Sequence, residues 1–233
     1  KYRGEMVLGI ETDTLDADGH ILTETSNLPD QSSIEKAFQK FQGSLLQSPP
    51  MYSARKYKGK RLYELARQGH EVKVPSREIK IFENRVLEIP SPNQIFFEVL
   101  CSKGTYIRSL ARDIGRYLGC GAYLSFLVRV SSGIFSIDDS FTLQEIKKAH
   151  LAQRMDKVLI PMDTALFKFK DIVLRDDVFE KAINGNFVNM NSVISDIKSI
   201  DNEELLKVYC RNQFMGLGYI NSSNMIQMRK VLV

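Results

Sequence analysis

The sequence predicts an α+β fold in which a mixed, mainly antiparallel sheet is flanked by helices and followed by a small C-terminal β-barrel. Two strand-like segments, 79–87 and 94–102, bracket the turn Pro90-Ser91-Pro92-Asn93, which is the pattern of an antiparallel hairpin. A helical pattern follows the second strand directly, and such mixing of strands and helices indicates α+β architecture rather than a parallel βαβ repeat. Near the C-terminus, short strands separated by tight turns indicate the barrel.

The first element is a strand, because Tyr2, Met6 and Ile10 fall on one face of a segment that alternates with period two. Residues 12–19 follow as an acidic turn. Their spaced aspartates resemble the start of a calcium loop, but the glutamate that should close such a loop is not correctly placed. We therefore interpret these residues as a turn.

Two amphipathic helices are predicted from apolar spacing. Ser32 and Glu35 fit a capping box, which places the first helix at about 32–41. The second helix runs over about 106–118 and ends at Gly119, because glycine is the preferred residue just past a helix end.

The C-terminal part is predicted to begin with a further helix beyond Ser140 and a linker at 160–163. A short helix near 178–184 then precedes the barrel strands. These strands are expected at 205–210, 214–220 and 225–231.

The composition is that of an ordinary globular protein, with 233 residues, 43% hydrophobic residues and a net charge of +4. This charge permits a polyanionic partner without requiring one. The three cysteines, Cys101, Cys120 and Cys210, are widely spaced and do not cluster with histidines, so we expect reduced, buried thiols and no metal site. No apolar run reaches the length of a membrane span, and no signal-peptide pattern occurs in these residues.

A strongly basic segment, residues 52–67, is the first candidate for function. It holds a single acid, Glu64, and tyrosines are interleaved with its positive charges. Positive charges can follow a phosphate backbone, and tyrosine rings offer faces on which unstacked bases stack. The alternative is a solvated helix face with core tyrosines. The residues that we select as RNA-binding candidates here are Tyr52, Arg55, Lys56, Tyr57, Lys58, Lys60, Arg61 and Arg67.

The second candidate is the strand-to-helix turn, residues 103–108. Gly104 permits a tight bend, and Tyr106 and Arg108 project near the helix start, where backbone N–H groups favour anions. Arg108, Arg112 and Arg116 are spaced i, i+4, i+8 and so share one helix face. An arginine at such a turn can hold a carboxylate through two hydrogen bonds. The alternative is a surface ladder of arginines.

Other chemistry has little support in the sequence. It contains no Ser/His/Asp arrangement, no phosphate-binding glycine loop and no convincing pair of carboxylates. Asp13, Asp16 and Asp18 are carboxylates within a turn, where aspartate more often serves to form the turn.

Six motifs in a fixed order resemble the bacterial TruB-type tRNA pseudouridine synthases. The resemblance runs from Lys1 to about Arg129 and continues more loosely to Val233. The motifs are Lys1-Tyr2-Arg3, Thr12-Asp13-Thr14-x-Asp16-Ala17-Asp18-Gly19, Pro50-Met51-Tyr52-Ser53-Ala54-x-Lys56-Tyr57-x-Gly59, Lys103-Gly104-Thr105-Tyr106-Ile107-Arg108, Leu118-Gly119-Cys120-Gly121-Ala122 and Leu127-x-Arg129.

The resemblance implies that the parent protein isomerises uridine 55 in the T-loop of tRNA to pseudouridine after flipping the base out of the loop. By position, Tyr2 stacks on the flipped uracil and Leu127 packs against it, while Asp16 lies at the edge of the cleft. Tyr106 lines the pocket and takes part in proton transfer, and Arg108 pairs with the catalytic aspartate. Lys103 and Arg129 join the RNA-binding residues of the basic segment, which embraces the T-arm.

The resemblance also implies a domain organisation and a setting. Residues 1–165 form the body of the catalytic domain, with an RNA-binding cleft, and residues 171–233 form a small RNA-binding domain of the PUA type. Neither a metal nor an organic cofactor is needed. We expect a cytoplasmic monomer whose partner is tRNA, with no membrane association.

One departure from the family pattern affects activity. The nucleophilic aspartate of such enzymes lies in a Gly-x-Leu-Asp-Pro-type loop upstream of the strand that carries Tyr2, and these 233 residues contain no such motif. The sequence opens at Lys1 without a methionine, so we expect the N-terminal catalytic segment to be missing and the chain to be inactive alone. The alternative is a non-catalytic tRNA-binding or tRNA-folding protein that retains the cleft.

Overall fold

The computed structural model describes residues 1–70, 72, 74–195, 200, 201 and 203–233. These residues divide into two units, Lys1–Ser140 and Phe141–Val233, each with its own hydrophobic core. The second unit begins upstream of the 165–171 boundary that the sequence predicts, so it also contains the helix that follows Ser140.

The first unit contains eleven strands and three helices in the part described. Its strands are β1 (Tyr2–Leu8), β2 (Ile10–Thr12), β3 (Ile21–Glu24), β4 (Gly43–Gln47), β5 (Lys56–Tyr57), β6 (Lys60–Arg61), β7 (Arg77–Ser91), β8 (Gln94–Cys101), β9 (Ala122–Arg129), β10 (Ser131–Ser132) and β11 (Phe135–Ser136). Its helices are α1 (Gln31–Lys40), α2 (Leu62–Arg67) and α3 (Ile107–Tyr117).

A five-stranded antiparallel sheet in the order β4-β7-β8-β1-β9 organises the first unit. Period-two alternation points Met6 and Phe97 to the face that α1 and α3 cover, where Phe38 and Ile114 are also fully buried. Antiparallel strands with helices on one face confirm the predicted α+β class. The predicted hairpin around residues 90–93 and the helix after it are likewise confirmed, as β7, β8 and α3.

The N-terminal cap of α1 differs from the prediction. The helix begins at Gln31, and the side chain of Asp30 accepts a hydrogen bond from the backbone N–H of Ser33 at 2.7 Å. This bond holds the pKa of Asp30 below its usual value. The predicted capping box of Ser32 and Glu35 is therefore wrong. Aspartate is an equally good cap, and its charge also favours the positive end of the helix dipole.

A buried carboxylate lies on the sheet face opposite α1 and α3. Glu98 of β8 is 2% exposed and accepts from Arg3 at 2.9 Å, Arg85 at 2.7 Å and Lys1 at 3.2 Å. These three cations outweigh the cost of burial and lower the pKa of Glu98 to about 2. Because its partners come from β1 and β7, Glu98 ties three adjacent strands together.

The second unit is built on a five-stranded sheet in the order β12-β14-β15-β16-β13. β12 is parallel to β14, and the other pairs are antiparallel. Its elements are α4 (Leu143–Leu151), β12 (Lys170–Leu174), α5 (Phe179–Ile183), β13 (Val188–Asn189), β14 (Leu206–Cys210), β15 (Gln213–Ile220) and β16 (Met225–Val231).

The predicted C-terminal strands are confirmed, but the predicted barrel is a half-barrel in the residues that the structure describes. A short bridge joins Leu174 of β12 to Val193, just past β13, so the sheet curves without a continuous closing ladder.

Tyr209 of β14 donates to Asp163 at 2.7 Å, and burial together with this bond raises the pKa of Tyr209.

The three cysteines are free thiols; Cys120 and Cys210 are buried, and Cys101 is half-buried. Burial is the main cause that raises the pKa of each thiol.

Within the described ranges, no helix combines the length and the apolar character that a membrane span needs.

Candidate active site

The turn between β8 and α3 is shaped by Gly104, which has a φ of +80°. The backbone N–H of Ser102, just past β8, donates to the Lys80 carbonyl of β7 at 2.8 Å. Within the bend, the Thr105 hydroxyl donates to the Ser102 carbonyl at 2.9 Å. A Cβ atom at Gly104 would lie 2.9 Å from the guanidinium nitrogens of Arg77. Glycine is thus favoured by the backbone angle, in agreement with the predicted tight bend, and its lack of a side chain leaves room for the Arg77 guanidinium.

Tyr106 caps α3 in an extended conformation and is held by two residues that the sequence analysis did not select. Gln47, at the end of β4, accepts from the Tyr106 N–H at 2.8 Å and donates to its carbonyl at 3.1 Å. The guanidinium carbon of Arg77 lies 5.3 Å from the centroid of the Tyr106 ring. The sequence gives no signal for these contacts, because Gln47 and Arg77 lie far from Tyr106 along the chain.

Arg108 joins three segments of the chain. Its Nη1 donates to the Thr14 carbonyl at 3.1 Å and to Asp16 Oδ2 at 2.6 Å, and its Nη2 donates to the Tyr52 carbonyl at 2.7 Å. Arg108 and Asp16 are both about one-quarter exposed. The carboxylate that contacts Arg108 in this structure is therefore Asp16, a residue that the sequence analysis placed at the edge of the cleft.

The loop that carries Asp16 is internally bonded. The Thr12 hydroxyl donates to the Asp16 carbonyl at 2.7 Å, and the Thr14 hydroxyl donates to Asp16 Oδ1. Asp13 accepts from the backbone N–H of His20 at 2.9 Å, so its carboxylate forms the turn, as expected for aspartates of this type. The loop thereby fixes Asp16 with its second oxygen directed at Arg108.

The other two arginines of the i, i+4, i+8 series have different environments. Arg116 pairs with the buried Glu11 of β2, and these hydrogen bonds raise the pKa of Arg116. Arg112 pairs at 2.7 Å with its neighbour Asp113, whose own pKa is raised mainly by burial. The spacing thus puts the arginines on one face, but only Arg108 of the three bonds to both the Asp16 loop and the basic segment within the described residues.

Tyr2, Leu127 and Arg129 lie together on the edge of the sheet formed by β1 and β9. Tyr2 is directly opposite Arg129 in the register, and Leu127 is opposite Gly4, so the three side chains share a face. The Arg129 Nε donates to the Tyr2 hydroxyl at 3.2 Å, and its guanidinium carbon lies 5.4 Å from the centroid of the Tyr2 ring. Leu127 is 40% exposed, which leaves an apolar surface beside Tyr2.

The basic segment forms a hairpin of β5 and β6 followed by α2. Lys58 and Gly59 both have positive φ angles, of 48° and 87°, as a two-residue type I′ turn requires. The charged side chains of Lys56, Lys58 and Lys60 are exposed, as are Arg61, Arg67 and, in the neighbouring turn, Lys103. This exposed charge is consistent with contact to phosphates.

The basic segment is joined to Arg108 of α3 through the Tyr52 carbonyl. Within the segment, Leu62 is completely buried, and the backbone N–H of Tyr63 donates to the Ser53 carbonyl at 3.1 Å. The Tyr63 ring lies against two cations, Arg61 at 5.8 Å and Arg67 at 5.5 Å. Tyr57 likewise has a cation beside its ring, Lys58 at 5.7 Å, and Tyr52, Tyr57 and Tyr63 are all half-buried.

Two family models match the chain end to end over residues 1–167. The model of the TruB family pseudouridylate synthase N-terminal domain matches residues 1–107, and that of the tRNA pseudouridylate synthase B C-terminal domain matches residues 108–167. The chain belongs to the TruB family. The two matches meet between Ile107 and Arg108, at the start of α3.

Curated TruB relatives cover nearly the whole chain. The tRNA pseudouridine synthase B of Alkaliphilus oremlandii is 40% identical over 224 residues, covering 96% of this chain and 73% of the relative. That of Clostridioides difficile is 39% identical over 226 residues, covering 96% of this chain and 74% of the relative. Family membership makes uridine-to-pseudouridine isomerisation the reaction class to which the candidate site belongs.

Solved structures share the fold at lower sequence identity. A structure described as an H/ACA RNP bound to a substrate RNA containing 2′-deoxyuridine superposes with a TM-score of 0.68 at 20% identity. A Cbf5-Nop10-Gar1 complex superposes with a TM-score of 0.67 at 22% identity. This chain is covered to 99% or more but spans 65% of each of those chains, so the likeness concerns the fold.

Proposed function

We propose that the protein converts the uridine at position 55 of the tRNA T-loop to pseudouridine. The observation that carries this proposal is the set of bonds made by Arg108, which links the Asp16 loop and the basic segment to the strand-to-helix turn in a chain of the TruB family. One residue of α3 thus connects the Asp16 loop with a surface suited to RNA.

The reaction is an isomerisation, so no atom enters or leaves overall. The bond between the sugar carbon C1′ and N1 of uracil breaks, the base turns, and a bond from C1′ to C5 forms. C5 then loses its proton and N1 gains one. The nucleophile in this proposal is an aspartate outside these 233 residues, which contain no Gly-x-Leu-Asp-Pro-type motif. The chain by itself is accordingly expected to be inactive.

Arg108 would hold the nucleophilic aspartate, and Asp16 would orient Arg108 for that role. A guanidinium can bond several oxygens in one plane, whereas a lysine ammonium cannot reproduce this arrangement. The contacts to Thr14, Asp16 and Tyr52 fix the plane of the Arg108 side chain. Tyr106, two residues earlier, would line the pocket and take part in moving the proton.

Tyr2 and Leu127 would receive the flipped base. Extruding a base costs a few kcal/mol, and stacking on an aromatic ring returns about 1–3 kcal/mol. Tyr2 offers a half-buried ring beside the exposed side chain of Leu127. Arg129, already over the Tyr2 ring, would bind phosphate near the base.

The basic segment, Lys103 and the half-barrel would supply the grip on RNA. We assign the T-arm to residues 52–67 and a supporting RNA contact to the PUA-like region, residues 171–233. The protein would act as a cytoplasmic monomer without a metal or an organic cofactor. Among the described residues, no cluster of three or more His, Cys, Asp or Glu is arranged to hold a metal ion.

The decisive experiment is an assay of the protein expressed from its complete gene on a T-arm stem-loop. Pseudouridine is expected at the T-loop uridine, with no product in an RNA that carries cytidine there. Normal RNA binding without any conversion would reject the enzymatic proposal and favour a tRNA-binding or tRNA-folding protein. In parallel, the 233-residue chain is expected to bind the same RNA without converting it.

A further inference from the structure

Gln47 is a buried polar residue whose two functional groups both contact Tyr106. It is 3% exposed at the end of β4. Its Oε1 accepts from the Tyr106 N–H at 2.8 Å, and its Nε2 donates to the Tyr106 carbonyl at 3.1 Å. A buried amide is costly unless it is hydrogen-bonded, so this pairing explains how a glutamine is accommodated there.

The side-chain amide of Gln47 bonds both the N–H and the carbonyl of Tyr106, as the backbone of a neighbouring β-strand would. Tyr106 lies at the N-terminal cap of α3, and its carbonyl also accepts the first helical bond, from Leu110 at 3.1 Å. The N–H of Tyr106 has no acceptor within α3 and donates to the Gln47 side chain instead. Both backbone groups of the residue are thus fixed by a side chain 59 positions earlier in the chain.

Two further contacts restrain the same place. Arg77, directly opposite Gln47 in the β4–β7 register, lies with its guanidinium carbon 5.3 Å from the centroid of the Tyr106 ring. The hydroxyl of Ser109 donates to the carbonyl of Ser48 at 3.2 Å, so the residue after Gln47 also binds α3. The end of β4 therefore meets the start of α3 at two successive positions.

We propose that Gln47 is a positioning residue, which sets the placement of Tyr106 in the pocket. This inference rests on the proposed function, because it assigns Tyr106 to the pocket wall. Gln47 acts through the Tyr106 backbone and is too buried to contact RNA itself. Since a displacement of about 1 Å in a catalytic group can cost 100-fold in rate, loss of Gln47 should slow the chemical step.

The test uses the protein expressed from its complete gene and its Gln47→Met variant. Methionine keeps the volume and the apolar stem of glutamine but removes the hydrogen bonds. Gln42→Met is the matched control, because the Gln42 side chain also donates to a backbone carbonyl, that of Asn84 at 3.1 Å. Ile95→Val, a core truncation on β8, controls for a simple loss of stability.

Three quantities are measured for each variant: the single-turnover rate at saturating enzyme, the Kd for T-arm RNA, and the exchange rate of the Tyr106 amide proton. For Gln47→Met we expect a rate about 10–100-fold lower. We also expect a Kd within twofold of the unaltered protein and faster exchange of the Tyr106 amide. For Gln42→Met and Ile95→Val we expect unchanged single-turnover rates at temperatures where each protein is folded.

The outcomes separate this inference from the proposed function. If the unaltered protein and both controls convert RNA and Gln47→Met is equally fast, Gln47 does not position Tyr106 for the reaction. If Ile95→Val slows the reaction as much as Gln47→Met, the effect is one of general stability and the inference fails. If no protein converts RNA, the proposed function fails. Unchanged exchange of the Tyr106 amide in Gln47→Met would then still overturn the positioning role.

Discussion

Two neighbouring regions of the first unit, the turn at residues 103–108 and the basic segment at residues 52–67, are held in contrasting ways. The turn is bonded by Gln47 of β4 and by the Asp16 loop, and Ser102, which precedes it, is bonded to Lys80 of β7. The basic segment exposes most of its charged side chains, and the backbone N–H groups of Leu62 and Tyr63 donate to carbonyls of the segment itself. The turn is therefore held by other elements of the unit, whereas the hairpin is held mainly by bonds of its own.

The contrast separates two tasks. Placing groups for chemistry requires fixed distances, whereas holding a polyanion requires exposed charge that can adapt to its shape. Arg108 belongs to the turn and is also bonded to the basic segment, because its Nη2 donates to the Tyr52 carbonyl while its Nη1 donates to Asp16. If the division holds, changes in the turn should affect rate, and changes in the hairpin should affect affinity.

The largest expected effect is that of Arg108→Lys on turnover. An ammonium group cannot span the carbonyls of Thr14 and Tyr52 together with Asp16. We expect the single-turnover rate to fall about 100–1000-fold, with the Kd for T-arm RNA changed less than threefold. Arg112→Lys, on the same helix face, is the control and should retain nearly full activity. A larger loss of affinity than of rate would mean that Arg108 belongs to the RNA grip.

The second-largest expected effect is a loss of RNA affinity when the three lysines of the hairpin are replaced together, in the variant Lys56→Ala/Lys58→Ala/Lys60→Ala. Removing three phosphate contacts should weaken RNA binding roughly 10–100-fold near physiological salt and reduce the slope of log K against log[salt] by about 2. The single-turnover rate at saturating enzyme should stay within twofold. Replacing Lys147, Lys148 and Lys157 by alanine gives the same change of charge elsewhere, and an equal loss there would refute a specific role of the hairpin.

A third prediction tests the sheet that supports the turn. Because the pKa of Glu98 is lowered to about 2 from an unfolded value of 4.5, its ion pairs stabilise the fold above pH 4.5, and that stabilisation is lost as the pH falls toward 2. Glu98→Gln should reduce the free energy of unfolding by roughly 2 kcal/mol at pH 7, and by much less near pH 2.5. Urea unfolding at both pH values measures this. A pH-independent difference would exclude the charge as its cause.

The smallest effects come from two glycines with similar backbone angles. Gly104 and Gly59 have φ values of +80° and +87°, but a Cβ at Gly104 would meet Arg77, whereas a Cβ at Gly59 has open space. Both alanine variants carry about 1 kcal/mol of backbone strain, and only Gly104→Ala also displaces a guanidinium group, that of Arg77, from its place beside the Tyr106 ring. We expect Gly104→Ala to lower Tm and the single-turnover rate, and Gly59→Ala to alter neither by much. Equal losses of rate would contradict the contrast between the regions.

The sequence predicts the elements of the fold better than it predicts the contacts of the site. Alternation and apolar spacing identified the strands β7 and β8, the helix α3 and the bend at Gly104, because these depend on local pattern. The contact between Arg108 and Asp16 depends on how β2, the loop after it and α3 pack together. A local sequence pattern carries no information about such packing. Motif resemblance selected both residues, but it did not predict that they contact each other.

Two misses have the same physical origin. Gln47 follows an apolar strand and precedes two prolines, so its sequence context looks like the end of a strand and nothing more. Its role depends on a partner 59 residues away. The barrel was predicted from strand spacing, but closure depends on the pairing of the first strand with the last ones, and the parallel pairing of β12 with β14 was not predicted.

The left-handed conformation of Lys58 has an evolutionary consequence. At a φ of 48°, asparagine or glycine would be accommodated readily, whereas a lysine costs about 1 kcal/mol. Lysine at the turn of the hairpin thus exchanges local stability for an exposed positive charge. Related chains in which asparagine occupies this position should have a stiffer hairpin and carry a compensating basic residue nearby.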